Sequence, residues 1–310
     1  MYLYAATTGG IEKHLCLKDD IPLPSSSTLS RDQIHIEAIY AGLNPADFKG
    51  AEGGFFTRLK LRPPATPDYD FCGRVKAIHP SNELLKPGDL VFGNLGHRRT
   101  HGILAQYLIA YQSYSGIAAY KSLAPFIKSG QRVFINGGSG GVGIFAIQIA
   151  RILGADMTVS CSTRNVEYCQ ELGAQVIDYT KGDLITLLQE YGQLFDHVVD
   201  NVGTTPELYS HAHLFTKPDA RIAQVGATTI RGIIYTQLVP AFIGGSRRPT
   251  SFVIGLLNRD DLILLGNWAA EGKITINIDA KFSFNDLIKA FEKLKTGRVR
   301  GKILVAVSPP

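Results

Sequence analysis

Eight residues near the middle of the chain, Asn136-Gly137-Gly138-Ser139-Gly140-Gly141-Val142-Gly143, restrict the fold more than any other stretch. They join a short apolar run, Arg132 to Asn136, to a helix-patterned segment, Ile144 to Leu153. Gly138, Gly140 and Gly143 satisfy G-x-G-x-x-G. Without Cβ atoms the backbone approaches a pyrophosphate closely, and that charge faces the free amides of a helix N-terminus. A P-loop is excluded because no Gly-Lys-Ser or Gly-Lys-Thr follows. A glycine-rich turn by itself is also met as a tight connection, so its surroundings decide. Downstream, apolar runs alternate with helical segments: Met157 to Cys161, then Val166 to Leu172; Gln175 to Tyr179, then Asp183 to Tyr191; His197 to Val202, then Pro206 to Phe215; then Arg221 to Val225. That alternation predicts an α/β domain, a doubly wound parallel sheet of the Rossmann type, with the glycine turn on a dinucleotide.

The first hundred residues read as mainly β. They are rich in Pro and Gly, with short runs such as Gln33 to Ala41 and Asp89 to Gly93, and Lys86-Pro87-Gly88-Asp89 fits a surface turn. After Ser251 to Leu257 come a helical stretch, Asp260 to Glu271, a run Thr275 to Ala280, a helix Phe284 to Leu294 and a last run Ile303 to Val307. The opening β region has too few helices to cover itself, so the chain is expected to return to it. The organisation is therefore 1–112 for the first part of the β domain, 113–256 for the Rossmann domain and 257–310 for the return.

Composition narrows the partners. The chain has 310 residues, 45% of them hydrophobic and 19% charged, as in an ordinary globular protein of about two domains. Its 32 Lys and Arg against 27 Asp and Glu give +5, dispersed in short pairs such as Arg98-Arg99 and Arg247-Arg248, so no nucleic-acid partner is expected. The apolar stretches are broken well before a membrane-spanning length of about 20 residues. Only four cysteines (Cys16, Cys72, Cys161, Cys169) and no apolar leader after Met1 make a cytoplasmic, reducing setting the expectation.

The tip of the second strand of a Rossmann unit selects the dinucleotide. A carboxylate there accepts from the adenosine ribose and repels a 2′-phosphate. Here the tip reads Ser160-Cys161-Ser162-Thr163-Arg164-Asn165, without an acid. Two hydroxyls and a guanidinium suit a phosphate, so NADPH is expected over NADH. The alternative is that Ser162-Thr163 caps the following helix and Arg164 is a solvated charge.

In order along the chain stand Asn44-Pro45-Ala46-Asp47, Asp70-Phe71-Cys72-Gly73, Lys86-Pro87-Gly88-Asp89, the glycine turn, Cys161-Ser162-Thr163-Arg164-Asn165, Leu172-Gly173-Ala174, Asp200-Asn201-Val202-Gly203 and Gly297-Arg298-Val299-Arg300-Gly301-Lys302. This ordered set resembles the zinc-independent quinone oxidoreductase class of the medium-chain dehydrogenase/reductases, over about Ile34 to Val307. The resemblance implies a GroES-like mainly β domain built from both chain ends, an interdomain active site and a homodimer. It implies that Gly138, Ser139, Gly140, Gly141, Val142 and Gly143 hold the pyrophosphate, and that Ser162, Arg164 and Tyr179 surround the 2′-phosphate. Asn201, Val225 and Gly226 would line the nicotinamide, and Asn44 would face nicotinamide and substrate as the catalytic position. Plainer roles stand beside these. Tyr179 would pack at a strand end, Asn201-Val202-Gly203 would be a turn, and Asn44 before Pro45 would initiate one.

The zinc branch of the family would place a Cys near Asn44 and a Gly-His-Glu near Asp68 to Asp70; the chain has neither, its cysteines are scattered, and no metal is expected. His97 and His101 lack a third partner in sequence. Hydride delivery to a quinone or an α,β-unsaturated carbonyl, with water returning the proton, is the implied reaction. The competing reading is a non-catalytic NADPH-binding or interaction protein. It draws on one departure: Leu108 to Ser115 alone joins segments that the family separates by a strand, a loop and a helix. Ala118 also lacks a hydroxyl often supplied there by Thr, and Asp68 stands in the place of a glycine.

Overall fold

The computed structural model describes the chain except residues 5–8, 22–28, 31–32, 53–64, 96–101, 112–117, 204, 227–231, 233–235, 254–258 and 310. His97, Arg98-Arg99, His101 and the junction residues 112 to 117 thus lie outside the described residues. The chain divides into two compact units. The first comprises Met1–Ser115, Leu257–Arg259 and Asn277–Pro310, and the second Gly116–Leu256 and Asp260–Ile276.

The first unit opens with β1 (Tyr2–Tyr4) against β2 (Leu15–Leu17), followed by β3 (Gln33–Leu43), α1 (Pro45–Glu52), β4 (Asp70–Ile78), β5 (Leu90–Asn94) and β6 (Tyr107–Tyr111). The second contributes α2 (Ala118–Leu123), β7 (Arg132–Asn136), α3 (Gly141–Ile152), β8 (Asp156–Cys161), α4 (Val166–Glu171), β9 (Gln175–Asp178), α5 (Leu184–Gln189), β10 (Phe195–Asp200), α6 (Glu207–Ser210), β11 (Thr216–Gln224), β12 (Thr250–Phe252) and α7 (Arg259–Ala270). The chain closes with β13 (Ile278–Ser283), α8 (Leu287–Lys295) and β14 (Lys302–Ala306).

The sheet of the second unit runs β9-β8-β7-β10-β11-β12, and every pairing in it is parallel. In sequence order that is strands 3-2-1-4-5-6, the doubly wound arrangement, whose direction of winding reverses between β7 and β10. Successive side chains leave a strand on opposite faces, so both faces can be buried only if both parities are apolar. That is the case. Ile135, Val199 and Ala223 join one core with Ile147 and Val159, whereas Phe134, Val198 and Ile222 join the other with Phe195, Leu208 and Phe215.

Leu257–Arg259 group with the first unit, Asp260–Ile276 with the second, and the chain joins the first unit again from Asn277. Leu265 and Trp268 of α7 pack on the core that holds Ile147, and the Gln148 side chain bonds the backbone of Thr275 in both directions, at 2.7 and 3.1 Å. These contacts tie residues 260–276 to the Rossmann sheet. The run expected at Thr275 to Ala280 correspondingly pairs later, as β13.

In the first unit, β14 inserts between β13 and β3. Its register sets Ile303 opposite Leu43, which brings Lys302 level with Asn44. Helix α8 closes the core with Leu287, Ala290, Phe291 and Leu294, spaced to form one apolar stripe. Phe291 is fully buried. Phe291→Ala is expected to cost about 3–5 kcal/mol of folding free energy, through lost apolar burial and a residual cavity, as read by chemical denaturation.

Candidate active site

The glycine turn leaves β7 at the point where the winding reverses, the crevice in which open α/β sheets place their ligands. Gly137 has φ +79°, and a Cβ there would lie 2.7 Å from Val202 Cγ2. At Gly143 a Cβ would stand 2.2 Å from the Gly137 carbonyl oxygen, so only glycine lets α3 sit against the turn. Gly140 differs. Its Cβ would meet only the Gly137 oxygen, at 3.6 Å, so a side chain there would instead occupy the space in front of the helix. Gly140 is the N-cap and the first backbone bond runs from Ile144 to it, which leaves the amides of Gly141, Val142 and Gly143 without intrahelical acceptors. The turn is therefore a cradle of unblocked donors.

A buried polar chain fixes its shape. The Gly137 amide donates to Ser160 Oγ (2.9 Å), Ser160 donates to Asn136 Oδ1 (2.6 Å), and Asn136 Nδ2 donates to Asp200 Oδ1 (2.9 Å). Asp200 also accepts from the Val202 and Gly203 amides and, on Oδ2, from the Tyr209 hydroxyl (2.6 Å). Burial, and then the Asp200 carboxylate, push the Tyr209 hydroxyl far above its ordinary value, so it stays a donor. Sequence reasoning missed this chain. Its only signal was polar residues at the ends of otherwise apolar strands.

Asn201, Val225 and Gly226 gather at the same sheet end. The amides of Val225 and Gly226 both donate to the Asp200 carbonyl, and a Cβ on Gly226 would stand 2.2 Å from the Asn201 carbonyl oxygen. Both polar atoms of the Asn201 side chain are buried without a hydrogen-bond partner. A turn residue would satisfy its side chain locally; this one holds an unused donor and acceptor beside the cradle.

At the adenosine end, Ser162 stands at the N-cap position of the Thr163–Asn165 turn, but its side chain makes no capping bond. Instead Asn165, itself buried, donates to Ser139 Oγ (2.9 Å) and reaches Ser162 Oγ (3.4 Å), linking the glycine turn to the strand tip. Arg164 is exposed and Tyr179 half-exposed, with the Tyr179 amide bonded to the Cys161 carbonyl, so both flank Ser162. Thr163 is committed elsewhere. Its hydroxyl donates to Asp178 Oδ2 (2.6 Å), and Thr180 donates to Oδ1 of the same carboxylate, which these two bonds hold below the usual carboxylate range. An acid absent from the tip of β8 thus stands on the neighbouring strand, already occupied by two threonines.

The first unit carries a separate polar cluster. The Asn44 amide donates to Asp47 Oδ2, which closes the N-terminus of α1 and leaves the Asn44 side chain for other work. Asn44 Nδ2 donates to Asp70 Oδ2 (2.7 Å) and the Gly42 carbonyl (3.0 Å), while Lys302 Nζ donates to Asn44 Oδ1 (2.6 Å) and pairs with Asp70 (3.1 Å). In the sequence Lys302 figured only as the end of the Gly297 to Lys302 motif and not as a site residue, because only the β3–β14 register brings it here. The cation in this cluster is an ammonium, and among the described residues no group of three or more His, Cys, Asp or Glu is arranged to hold a metal. The donor set does not fit a catalytic zinc, which needs three such ligands around an open position. No helix among the described residues is long and apolar enough to cross a membrane.

A nucleotide cradle at the carboxyl ends of the central strands on one unit and a GroES-type β unit on the other define a two-domain dehydrogenase. Residues 30–121 match the alcohol dehydrogenase GroES-like domain and residues 172–305 the family described as zinc-binding dehydrogenase. The trans-enoyl reductase pgmF of Aspergillus terreus is 41% identical, the match covering 98% of this chain and 95% of pgmF. The medium chain reductase pydE of an Acremonium species is 26% identical, over 96% of each chain. The quinone oxidoreductase of Coxiella burnetii superposes with a TM-score of 0.85 at 28% identity, over 99% of this chain and 98% of that one. The chain belongs to the medium-chain dehydrogenase/reductase family, on its quinone oxidoreductase-like side, and is an oxidoreductase. Enzymes of this family bind a nicotinamide cofactor, and the cradle described above fits one.

Because Tyr209 satisfies a buried carboxylate, Tyr209→Phe is expected to destabilise the protein by about 1–3 kcal/mol. Nucleotide affinity should fall as well, since Asp200 anchors the cradle. Thermal denaturation and calorimetric titration read the two effects; unchanged affinity would separate the polar chain from the cradle.

Proposed function

We propose that this protein is an NADPH-dependent reductase that delivers hydride to the conjugated carbon of an enoyl compound or quinone, without zinc. One observation carries the reading. In the first unit, the Lys302 ammonium donates at 2.6 Å to the carboxamide of Asn44, in the stretch of sequence where the zinc branch would carry a Cys. The pgmF and Coxiella burnetii relatives are named for enoyl and quinone chemistry.

The chemistry follows from where charge develops. Reduced nicotinamide, when bound, supplies a hydride. Addition to an enone or quinone leaves negative charge on the acceptor oxygen, which hydrogen-bond donors stabilise more than they stabilise the neutral carbonyl. Lys302 has three N–H donors for that task, and Asn44 and Asp70 orient it. The amides of Gly141, Val142 and Gly143 hold the diphosphate, while Ser162, Arg164 and Tyr179 take the 2′-phosphate. The unused amide of Asn201, with Val225 and Gly226, serves the nicotinamide. The Thr163 and Thr180 hydroxyls hold Asp178 as a carboxylate, so the Arg164 guanidinium has to offset its charge at the 2′-phosphate.

A second reading, a nucleotide-binding protein without turnover, is favoured by the length of the match. The pgmF alignment spans 338 positions against a chain of 310 residues, so this chain carries a gap, in keeping with the short segment between Leu108 and Ser115.

Turnover of NADPH with α,β-unsaturated thioesters, enones and quinones separates the two readings, and chelators are expected to leave the rate unchanged. Tight NADPH binding with no oxidation by any acceptor would establish the second. Arg164→Ala is expected to weaken NADPH by about tenfold or more, the value of one charge-assisted hydrogen bond, and to change NADH much less. Equal losses for the two nucleotides would remove the guanidinium from the 2′-phosphate.

A further inference from the structure

We propose that Asn165 is a positioning residue of the nucleotide site. It aims the hydroxyl protons of Ser139 and Ser162 at the ligand, and so couples the hold on the diphosphate to the hold on the 2′-phosphate. The Ser162 half rests on the NADPH reading; the Ser139 half needs only a nicotinamide dinucleotide on the glycine turn.

Asn165 is 5% exposed and occupies the N-cap position of α4, yet its side chain makes no capping bond. An asparagine there ordinarily caps the helix with its side-chain oxygen. Instead Nδ2 donates to Ser139 Oγ at 2.9 Å and reaches Ser162 Oγ at 3.4 Å. The Asn165 amide also donates to the Ser162 carbonyl (2.8 Å), so the carboxamide is presented from a fixed peptide. This bridge is not what fastens the glycine turn to β8. The Gly137 and Gly138 amides already do that, one on the Ser160 hydroxyl and the other on the Ser160 carbonyl, both at 2.9 Å.

The chemistry of the bridge sets a direction. A carboxamide nitrogen donates and accepts nothing, so both serine oxygens act as acceptors and each hydroxyl keeps its single proton for another partner. The neighbouring hydroxyls are spent. Ser160 donates to Asn136 Oδ1 and Thr163 to Asp178 Oδ2. Among the described residues no acceptor takes the proton of Ser139 or of Ser162. The hydroxyls still able to donate are therefore the two that Asn165 holds, and both are partly exposed.

A serine hydroxyl left to itself turns either its proton or its lone pairs toward a neighbour. Once its oxygen takes an N–H bond, it presents a proton, which suits an anion. Its bond to a phosphate oxygen is charge-assisted, and the N–H···O–H···O chain polarises each link. One buried nitrogen thus serves a hydroxyl on the glycine turn and another at the tip of β8, and both are aimed before ligand arrives.

The test measures calorimetric Kd for NADPH and NADH on the whole chain. Asn165→Ala releases both hydroxyls and is expected to weaken NADPH about tenfold and NADH, which meets only Ser139, about threefold. In a chain carrying Ser139→Ala and Ser162→Ala, the same substitution should change NADPH affinity by no more than about twofold, because the amide acts only through those hydroxyls. Asn165→Asp keeps the shape but accepts instead of donating, so it draws both protons away from the phosphates and adds a charge. Its loss should exceed its own loss in the chain without the two serines, where only the charge remains, by about tenfold. Should Asn165→Ala not fold, Asn165→Ser keeps an N-cap residue type and takes its place with the same expectations. Losses that are the same with and without the serines overturn the proposal, as does an unchanged affinity in Asn165→Ala. Equal losses for NADPH and NADH, with coupling to Ser139 alone, overturn the link to the 2′-phosphate. A wild type that binds the two nucleotides alike would trace that failure to the NADPH reading, and one that prefers NADPH would trace it to Asn165.

Discussion

The nucleotide half of the molecule depends on one buried carboxylate. Asp200 ends β10 and collects donors from the neighbouring strand through Asn136, from the following turn through the Val202 and Gly203 amides, and from α6 through Tyr209. A carboxyl group buried this deeply is tolerable only when most of its lone pairs are used. Every partner is therefore held in one place, and through Ser160 that constraint reaches the first amide of the glycine turn. The cradle is shaped before any ligand arrives, so binding does not have to order it.

The first unit solves a different electrostatic problem. Its polar cluster sets one ammonium against the Asp70 carboxylate and the Asn44 carboxamide, and it is assembled from the end of β3, the start of β4 and the last strand of the chain. Where a metal would impose geometry by coordination, the cluster imposes it by hydrogen bonds converging on Asn44. Such a site is stiff because Asn44, Asp70 and Lys302 hold one another by direct hydrogen bonds.

The two halves were unequally legible. The glycine turn, the strand that precedes it and the alternating runs after it could be read directly, because each depends on local chemistry: missing Cβ atoms, apolar runs of strand length and helical spacing. Ser162 and Arg164 were singled out from the strand tip they follow and Tyr179 from the family resemblance; the structure sets Ser162 directly after β8 and Tyr179 directly after β9. Thr163 was read with Ser162 as a phosphate ligand, but Asp178 on the next strand takes its hydroxyl. Nothing local in residues 260–276 reveals that Trp268 and Gln148 tie them to the Rossmann sheet.

By itself the sequence determined the class of fold, the position of the nucleotide cradle and the absence of a zinc-branch ligand pattern around Asn44, since all three are written in residue type and spacing. Tertiary structure alone decided that Lys302 stands beside Asn44 across more than half the chain, that Asn165 bridges Ser139 and Ser162, and that Asp47 and Asp68 are both buried. The physical reason is that strand register and burial are properties of pairs of distant segments. A residue's charge or hydrogen-bonding capacity acquires its consequence only when packing removes water and supplies the partner.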